Sequence, residues 1–398
     1  MVKTFKLLEL PILVSRMILN TIGIENMDLT DLIAQALKSR KFRDCLLEVK
    51  KFQVDSMEFW LNQGGLRSGI VIDLGPGIFP QIFIHISPLN RPIYNFKVVV
   101  QKLFIKENTY HYPLKIIHLN CEPSTELRIF EQVTKRLKPF LEIKNFYLKV
   151  SEQYDSLNFS LNKLVDNFTR IECQLDGGSF EIKSKDLDNF LENTQSDSLN
   201  IDFKVIDTPR YTPKPSTAEN HQSVNITGGD WINMDTILDF DVKKLKINIT
   251  ENCVGKINKL MKDWTSGKNE RMEKWEFECM CETIIEDEPG LFEGLEAQNS
   301  FFNKKHLEKL HSEFEYSTDI RRKTDGRLAT ILVSSTNLKM IVWTEESFSR
   351  AVQKGLSDHS GIARFCDQFQ VSQTDAERKS QKPEREGPYV RVPKRVPR

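Results

Sequence analysis

The chain has 398 residues with 56 basic (Lys and Arg) and 56 acidic side chains, so its formal net charge is zero. This balance gives no indication of a nucleic-acid partner, a membrane surface or an acidic substrate. Hydrophobic residues make up 39% of the chain and phenylalanine occurs 25 times, which argues against a wholly disordered chain.

Seven cysteines are scattered along the chain without a framework spacing, a pattern typical of reduced thiols in the cytosol or nucleus. The apolar residues near the N-terminus are too interrupted for a signal peptide, and no apolar run approaches the ~20 residues that a membrane helix needs. The sequence therefore predicts a soluble protein of the cytoplasm, the nucleus or both, without a membrane partner.

Residues 1–50 are predicted to form three short helices. Pro11 suits the first turn of one helix, and Asp28 is a suitable N-cap for the next. Helices this short cannot bury their apolar faces alone, so a partner or the next domain is expected to cover them. The apolar stripe of the second and third helices follows helical spacing and consists of Leu29, Leu32, Ile33, Ala36, Leu37, Phe42, Cys45, Leu46 and Val49.

Residues 51–120 are strand-rich and are predicted to form a small antiparallel β meander. Glycine and proline at 75–77 mark a turn between the first two strands. The β-branched and aromatic runs that carry the strand signal lie at 69–73, 81–86 and 96–100.

The segment 70–77, Ile-Val-Ile-Asp-Leu-Gly-Pro-Gly, is similar to the strand and glycine loop that binds S-adenosylmethionine in methyltransferases. That loop requires a following helix, a third glycine and an acidic residue ~20 residues further on. Here 78–80 leads into another strand, and 90–95 contains no carboxylate. We therefore interpret Gly-Pro-Gly as a structural turn, and a methyltransferase is only a remote alternative.

From residue 121 to 345, predicted helices alternate with predicted strands at a period of 25–30 residues. Such a period indicates degenerate α/β repeats similar to leucine-rich repeats. The helices are predicted at 125–138, 156–166, 184–193, 233–239 and 252–264, and the strands at 145–150, 170–175, 199–203, 244–249 and 274–278. A closing hairpin is predicted from strands 330–333 and 338–343.

Residues 346–398 are predicted to be a low-order tail. Within it, 371–398 holds four prolines, eight basic and four acidic residues, a composition that cannot build a core. The basic end of this tail allows at most a weak electrostatic contact with nucleic acid or an importin, so nucleic acid is not an expected partner.

Two groups of residues raise alternative interpretations. Cys279 and Cys281 with His306 and His311 suggest zinc, but their spacings differ from those of ordinary structural zinc sites, and two small residues on a strand explain the cysteines. Trp231, Trp264 and Trp275 are candidates for a substrate surface or for the core. The helical stripe of Ile257, Leu260, Met261 and Trp264 favours the core for Trp264. No catalytic, cofactor or metal residue is predicted, and the chain is not expected to be an enzyme.

The segment Phe5-Lys6-Leu7-Leu8-Glu9-Leu10-Pro11-Ile12-Leu13-Val14, followed by Met17-Ile18-Leu19, resembles an F-box. Residues 29–33 and 36–42 match the second half of that motif. Residues 228–278 resemble the F-box-associated type 2 domain of the nematode F-box B family, with an expected extent of about 215–282. The matching pieces are Gly229-Asp230-Trp231-Ile232, Leu260-Met261-Lys262-Asp263-Trp264, Gly267 and Met272-Glu273-Lys274-Trp275-Glu276, and further pieces follow at 320–322, 325–326, 329–331 and 340–343.

This resemblance implies a substrate-recognition adaptor of an SCF-type (Skp-cullin-F-box) E3 ubiquitin ligase. Segment 1–50 would be the F-box, 51–120 a connecting region, and 121–345 the region that holds an unidentified protein substrate. The Skp-type adaptor would in turn be held by a cullin. The candidate adaptor contacts are Leu10, Pro11, Val14, Ile18, Leu19, Leu32 and Phe42.

Two departures from the family pattern leave a second interpretation of the function open. Lys6 stands where the family has a proline, and Lys38 stands where an apolar residue or cysteine is usual. The alternative is a free α/β repeat scaffold whose F-box is vestigial. The candidate adaptor contacts would then form only the core of a small helical subdomain.

Overall fold

A computed structural model describes most of the chain, which divides into two compact units, Met1–Glu251 (unit 1) and Asn252–Arg398 (unit 2). Helices and strands are both abundant, as the predicted α+β class requires. The described residues are 11, 17, 28–46, 51–61, 69–75, 82–88, 99–107, 110–121, 126–150, 165–173, 180–213, 220–250, 254–279, 288–300, 302, 304, 307–308, 314–344 and 346–347.

Some predicted elements lie outside the described residues. These are nearly all of the first helix of segment 1–50, the tail beyond residue 347, and the helix at 156–166 except for residues 165 and 166, which are not helical. The three-helix arrangement of 1–50 therefore stays a prediction, as do the four predicted segments of the chain. Within the described part, no helix is both long and apolar enough to cross a membrane.

The second and third predicted helices are confirmed as α1 (Leu29–Lys38) and α2 (Arg40–Leu46). The Asp28 side chain accepts a hydrogen bond from the Thr30 backbone N–H at 2.9 Å, as an N-cap does. Every described member of the predicted apolar stripe is buried, which leaves only Val49 outside the described residues. Local sequence signals were therefore sufficient to predict this helical pair.

Two arginines bind the C-terminal carbonyl groups of α1. Arg43 Nη1 donates to the Ala36 carbonyl at 2.6 Å, and Arg136 Nη1 donates to the Leu37 carbonyl at 2.6 Å. Arg136 belongs to α3 (Glu126–Leu137), and the pKa of its guanidinium is lowered, first by burial and then by the charge of Arg43. Cations at a helix C-terminus are favourable, so Arg136 fastens α1 to α3.

We expect Arg136→Ala to lower the free energy of unfolding by about 1–3 kcal/mol, because a charged hydrogen bond to a helix end is lost and the Leu37 carbonyl loses its donor. Urea unfolding of the purified chain measures the change. Lys135→Ala is the matched control, because Lys135 is exposed on the same helix. Equal stabilities of the two variants would contradict a structural role for Arg136.

Twelve strands belong to the described part of unit 1, and ten of them form one mixed sheet. The strands are β1 (Phe52–Leu61), β2 (Gly69–Asp73), β3 (Ile82–Pro88), β4 (Val99–Glu107), β5 (Tyr110–Cys121), β6 (Leu141–Val150), β7 (Phe168–Cys173), β8 (Phe180–Ile182), β9 (Ser196–Ile201), β10 (Phe203–Val205), β11 (His221–Ile226) and β12 (Lys244–Ile249). The sheet order is β12-β11-β9-β7-β6-β1-β2-β3-β5-β4, and β8 and β10 form a separate parallel pair.

Six neighbouring strands, from β12 to β1 in the sheet order, pair in parallel, and we call them the parallel array. After β1, its strands begin at residues 141, 168, 196, 221 and 244, which confirms the predicted repeat period to within a few residues. The helix α4 (Ser184–Asn193) precedes β9 along the chain, as the predicted alternation of helices and strands requires, and has the predicted bounds. One buried row of the array, in register across five strands, consists of Leu148, Ile171, Leu199, Val224 and Leu245.

Two predictions about unit 1 differ from the structure, and several of its strands were not predicted. The meander is wrong in one pairing, because β3 pairs with β5 in parallel while β4 pairs with β5 on the other edge. The helix predicted at 233–239 is a 3₁₀-helix, Met234–Phe240, with Asn233 as its cap. The strands β1, β5, β8 and β11 were not predicted. The β11 sequence, His-Gln-Ser-Val-Asn-Ile, is mostly polar and forms a strand because partners lie on both sides of it.

Unit 2 contains an antiparallel sheet. The strand order is β14-β15-β16-β17-β13, and the predicted hairpin is confirmed as β16 and β17, with the Ser334 Oγ accepting from the Asn337 N–H at 3.1 Å in its turn. The elements are α5 (Val254–Thr265), β13 (Lys274–Cys279), α6 (Glu288–Leu291), β14 (Gln298–Asn299), β15 (Tyr316–Arg321), β16 (Leu328–Val333) and β17 (Asn337–Val342).

A buried arginine organises the core of unit 2. Arg322 is 2% exposed, and its Nε and Nη2 donate to the two carboxylate oxygens of Asp325 at 2.9 and 2.5 Å. Its guanidinium lies 5.5 Å from the ring centroid of Trp264, which is fully buried. The remaining donor, Nη1, reaches the Asn269 carbonyl at 3.3 Å. Two pieces of the family resemblance, at 320–322 and 325–326, therefore form one structural network.

Candidate functional site

The parallel array of unit 1 presents two rows of side chains on the face opposite its buried rows. Successive side chains of a strand alternate between the two faces of a sheet, and none of the residues in these rows is buried. We call this surface the open face. In register order it consists of Glu58, Tyr147, Arg170, Ser198, Ser223 and Lys244 in one row, and Trp60, Lys149, Glu172, Asn200, Asn225 and Lys246 in the other.

One end of the open face is aromatic. The rings of Trp60 and Phe83 meet edge to face with centroids 6.1 Å apart, and the Lys149 ammonium lies 5.8 Å from the Trp60 centroid. Gly69 makes this contact possible, because a Cβ there would lie 2.8 Å from the Phe83 ring and 2.7 Å from the Ile84 carbonyl. Edge-to-face pairs and cations over indole rings are favourable arrangements, so the aromatic end is preorganised.

The centre of the open face holds an oriented guanidinium. Arg170 Nη2 lies 3.4 Å from a carboxylate oxygen of Glu172 on the same strand. With the Asn200 amide oriented to suit its neighbours, its oxygen accepts from Arg170 Nη2 at 2.8 Å and from Nε at 2.9 Å. Exposed ion pairs contribute little stability. These contacts therefore act mainly by fixing the direction of the guanidinium along the sheet.

The other end of the open face is cationic, because β12 contributes Lys244 and Lys246. The whole face carries four basic and two acidic side chains, which gives it a charge of about +2. The Trp60 Nε1 and the Asn225 Oδ1 are shielded from solvent and have no hydrogen-bond partner among the described residues. Tryptophan, tyrosine and arginine are the residues most enriched at binding hot spots, and this face combines all three.

Only some of the predicted adaptor contacts lie among the described residues. Leu10, Val14, Ile18 and Leu19 lie outside the described residues, and Pro11 is exposed. Leu32 and Phe42 are buried at 1% and 4% exposure, so within this chain they are core residues of the α1–α2 pair. Lys38 is exposed in the last turn of α1, where a positive charge suits the helix dipole. Adaptor binding by these residues stays a prediction.

The tryptophans singled out from the sequence belong to the core. Trp231, Trp264 and Trp275 are 6%, 0% and 0% exposed. The tryptophan of the open face, Trp60, was missed because β1 was not predicted. Met57, Phe59 and Leu61 recur at every second position, and this apolar spacing is the sequence signal that would have placed Trp60 on the face opposite Phe59.

The remaining alternatives can be compared with the local geometry. β2 pairs antiparallel with β1 and with β3, whereas the strand of a nucleotide-binding unit is parallel to its neighbours. Gly75 has a φ of +106°, and its N–H donates to the Asp73 carboxylate at 3.0 Å, so Asp73 serves a turn. For zinc, the described part of the chain groups no three candidate ligands. Cys281, His306 and His311 lie outside it, so the expected lack of a metal stays a prediction.

Comparison with known families identifies one segment. Residues 214–277 match the family model described as F-box associated, which confirms the resemblance at that level. The matched bounds lie close to the expected extent of about 215–282. No curated protein and no solved structure matches the chain. The matched segment contains β11 and β12, and with them four of the twelve residues of the open face.

Proposed function

We propose, on the premise that residues 214–277 form an F-box-associated domain, that the chain is the substrate-recognition adaptor of an SCF-type ubiquitin ligase. Segment 1–50 binds a Skp-type adaptor and, through it, a cullin. The open face holds a protein substrate. The chain contributes recognition rather than catalysis, and its place of action is the cytoplasm, the nucleus or both.

The observation that carries this proposal is the position of the matched segment in the fold. β11 and β12 extend the same parallel array that bears the aromatic and charged residues of the open face. Arrays of stacked parallel strands commonly bind extended protein surfaces along one face. The part of the F-box-associated segment that lies in unit 1 and the candidate binding surface therefore belong to the same sheet.

The adaptor contact is assigned to the first predicted helix. Leu32 and Phe42 are already buried by their own chain, so they stabilise the α1–α2 pair as core residues. The apolar residues Leu10, Val14, Ile18 and Leu19 precede the described helices and supply the docking surface in this proposal. An apolar surface that a small helical unit cannot cover by itself is typical of a docking motif.

The charge of the open face indicates the chemical class of the substrate segment. A face with a charge of about +2 and an aromatic end favours an acidic segment that carries an apolar anchor, because complementary potentials speed encounter and exclude wrong partners. The acidic groups of the substrate would pair with Arg170, Lys244 and Lys246. The anchor would contact Trp60 and Phe83.

The adaptor half of the proposal is tested by Val14→Asp combined with Ile18→Asp. We expect loss of adaptor co-precipitation from cell extracts, because each unpaired charge buried in an interface costs several kcal/mol. Gln35→Asp is the matched control, since Gln35 is exposed on α1. Normal adaptor binding by the double variant, or none by the wild type, would contradict the proposal.

The substrate half uses the same extracts with Trp60→Ala combined with Arg170→Ala. This variant is expected to keep the adaptor and lose the proteins whose ubiquitylation depends on the wild-type chain. Point changes are preferable to removing residues 1–50, because Arg136 fastens α1 to α3. An unchanged set of ubiquitylated partners would show that the open face is not the substrate surface.

A free scaffold with a vestigial F-box is the second candidate function. The burial of Leu32 and Phe42 and the exposed Lys38 favour it. Two predicted contacts are already covered within the chain, and a charge stands where the family pattern has an apolar residue or cysteine. Protein partners that depend on the open face, in extracts where no adaptor co-precipitates with the wild type, would support this alternative.

A further inference from the structure

A cavity of about 720 Å³ lies in unit 1 at the carboxyl end of the parallel array. Its walls are the residues that follow β9 and β11, the strand β10 and the 3₁₀ turn Gly229–Trp231. Ligands of sheets with parallel strands commonly bind beyond the carboxyl ends of those strands. The cavity is distinct from the open face, whose last residues on these strands are Asn200 and Asn225.

Three carboxylates line this cavity, and two of them have structural partners. The Asp207 carboxylate accepts from the N–H and the Oγ of Ser184 at 2.8 and 2.9 Å, and its pKa is lowered by these bonds. The Asp230 carboxylate accepts from the N–H and the Oγ of Thr250 at 2.8 and 2.5 Å. The hydrogen bonds of both carboxylates therefore stabilise the fold.

Asp202 differs from the other two carboxylates. Its backbone N–H donates to the Cys173 carbonyl at 2.8 Å, which fixes the residue just after β9. Its carboxylate has no hydrogen-bond or ion-pair partner among the described residues, and burial raises its pKa. A half-buried carboxylate without a partner loses solvation without compensation, so a cationic ligand would relieve that cost.

Part of the lining is apolar, and it includes Ile206, Phe203 and Trp231. Ile206 is 48% exposed, one of two large hydrophobic side chains exposed to this extent in the described part of the chain. Phe203 stacks on Trp231 with centroids 5.7 Å apart, and both are buried. The cavity thus has an acidic group beside an apolar wall, with Lys204 as the only cation among its lining residues.

We propose that this cavity binds a lysine or arginine side chain of an extended protein segment in which an apolar residue lies next to the basic one. Asp202 pairs with the cation, and Ile206 packs against the apolar neighbour. Charge complementarity selects this occupant, because the lining residues include three carboxylates and only one lysine. The inference rests on the proposed function in one respect: it takes the segment to belong to the protein substrate.

The test uses the purified full-length chain and a fluorescent peptide of alternating lysine and valine, with anisotropy as the readout. We expect Asp202→Asn to weaken binding about tenfold or more, and Ile206→Ser to weaken it by a smaller factor. Asp197→Asn is the matched control, since Asp197 is exposed on β9 outside the cavity. Thermal unfolding of each variant separates loss of binding from loss of fold.

Three results would overturn the inference. They are equal affinity of the folded Asp202→Asn variant, equally effective displacement of the lysine–valine peptide by a matched peptide of glutamate and valine, and its displacement by free butylamine at the same concentration, which would indicate a site for small amines. The experiment contains no Skp-type adaptor. Failure of adaptor binding by the wild type would therefore contradict the proposed function without changing the peptide result.

Discussion

Asp325→Ala is expected to lower the free energy of unfolding by about 2–4 kcal/mol, one of the two largest effects that the structure predicts. Removing one partner of a buried pair leaves an uncompensated charge, which costs about 3–5 kcal/mol when both groups are buried. Arg322 is buried, whereas the Asp325 side chain is 35% exposed, so water offsets part of the loss. Urea unfolding followed by tryptophan fluorescence measures it, since Trp264 lies against Arg322.

Two comparisons test the cause of this loss. Glu296→Ala removes the same charge from an exposed position of unit 2 and should change stability by less than 0.5 kcal/mol. Adding Arg322→Met to Asp325→Ala should recover part of the lost stability, because no charge is then left unpaired in the core. A double variant less stable than Asp325→Ala would show that Arg322 acts through its packing on Trp264 instead.

The second large effect is a loss of stability in mild acid that depends on His221. This side chain is fully buried, with Nδ1 2.8 Å from the Ser196 Oγ and Nε2 3.5 Å from the Thr194 Oγ1. Burial lowers its pKa to about 4, against a smaller opposing contribution from a hydrogen bond with the Leu191 backbone. The folded chain therefore holds the imidazole neutral at a pH where the unfolded chain protonates it.

The direction of this pH effect follows from the pKa values of His221 in the folded and the unfolded chain. Because the folded pKa is lower than the unfolded value of about 6.5, this stabilisation is complete above pH 6.5 and is lost as the pH falls towards 4. Linkage gives a loss of about 2–3 kcal/mol between pH 7 and pH 4.5. Urea midpoints of the wild type and of His221→Gln at both pH values measure it, since the variant should lack this part of the pH dependence. Parallel curves would contradict a buried neutral His221.

Local signals and tertiary pairing account for different parts of the fold. The helix α1 was predictable to its N-cap because Asp28, the apolar stripe and the break at Ser39 are all encoded within a dozen residues. The direction of pairing between β3 and β5 is not encoded locally, since it depends on which strand edges remain free after the β4–β5 hairpin forms. The repeat period was readable because the buried rows recur at nearly constant spacing.

The candidate sites were harder to predict than the fold. Trp60 became part of the candidate binding surface only through the parallel pairing of β1 with β6. The paired residues Gln53 and Glu142 are 89 positions apart in the sequence. Asp202 belongs to no local sequence motif. It stands out only in the folded chain, where the neighbouring carboxylates of Asp207 and Asp230 accept hydrogen bonds from Ser184 and Thr250. Residue type alone pointed instead to Trp231, Trp264 and Trp275, whose large apolar surfaces fill the core.

The pairing of β1 with β6 also bears on synthesis of the chain. β1 can pair with β2 soon after both leave the ribosome, but its other edge has no partner until β6 follows. At 5–20 residues per second, the 89 residues between Gln53 and Glu142 correspond to a delay of roughly 4–18 seconds. During that time a ten-residue strand with a largely apolar face has an unpaired edge open to other nascent chains. Holding chaperones that act during translation should therefore raise the yield of folded protein more than chaperones supplied after release.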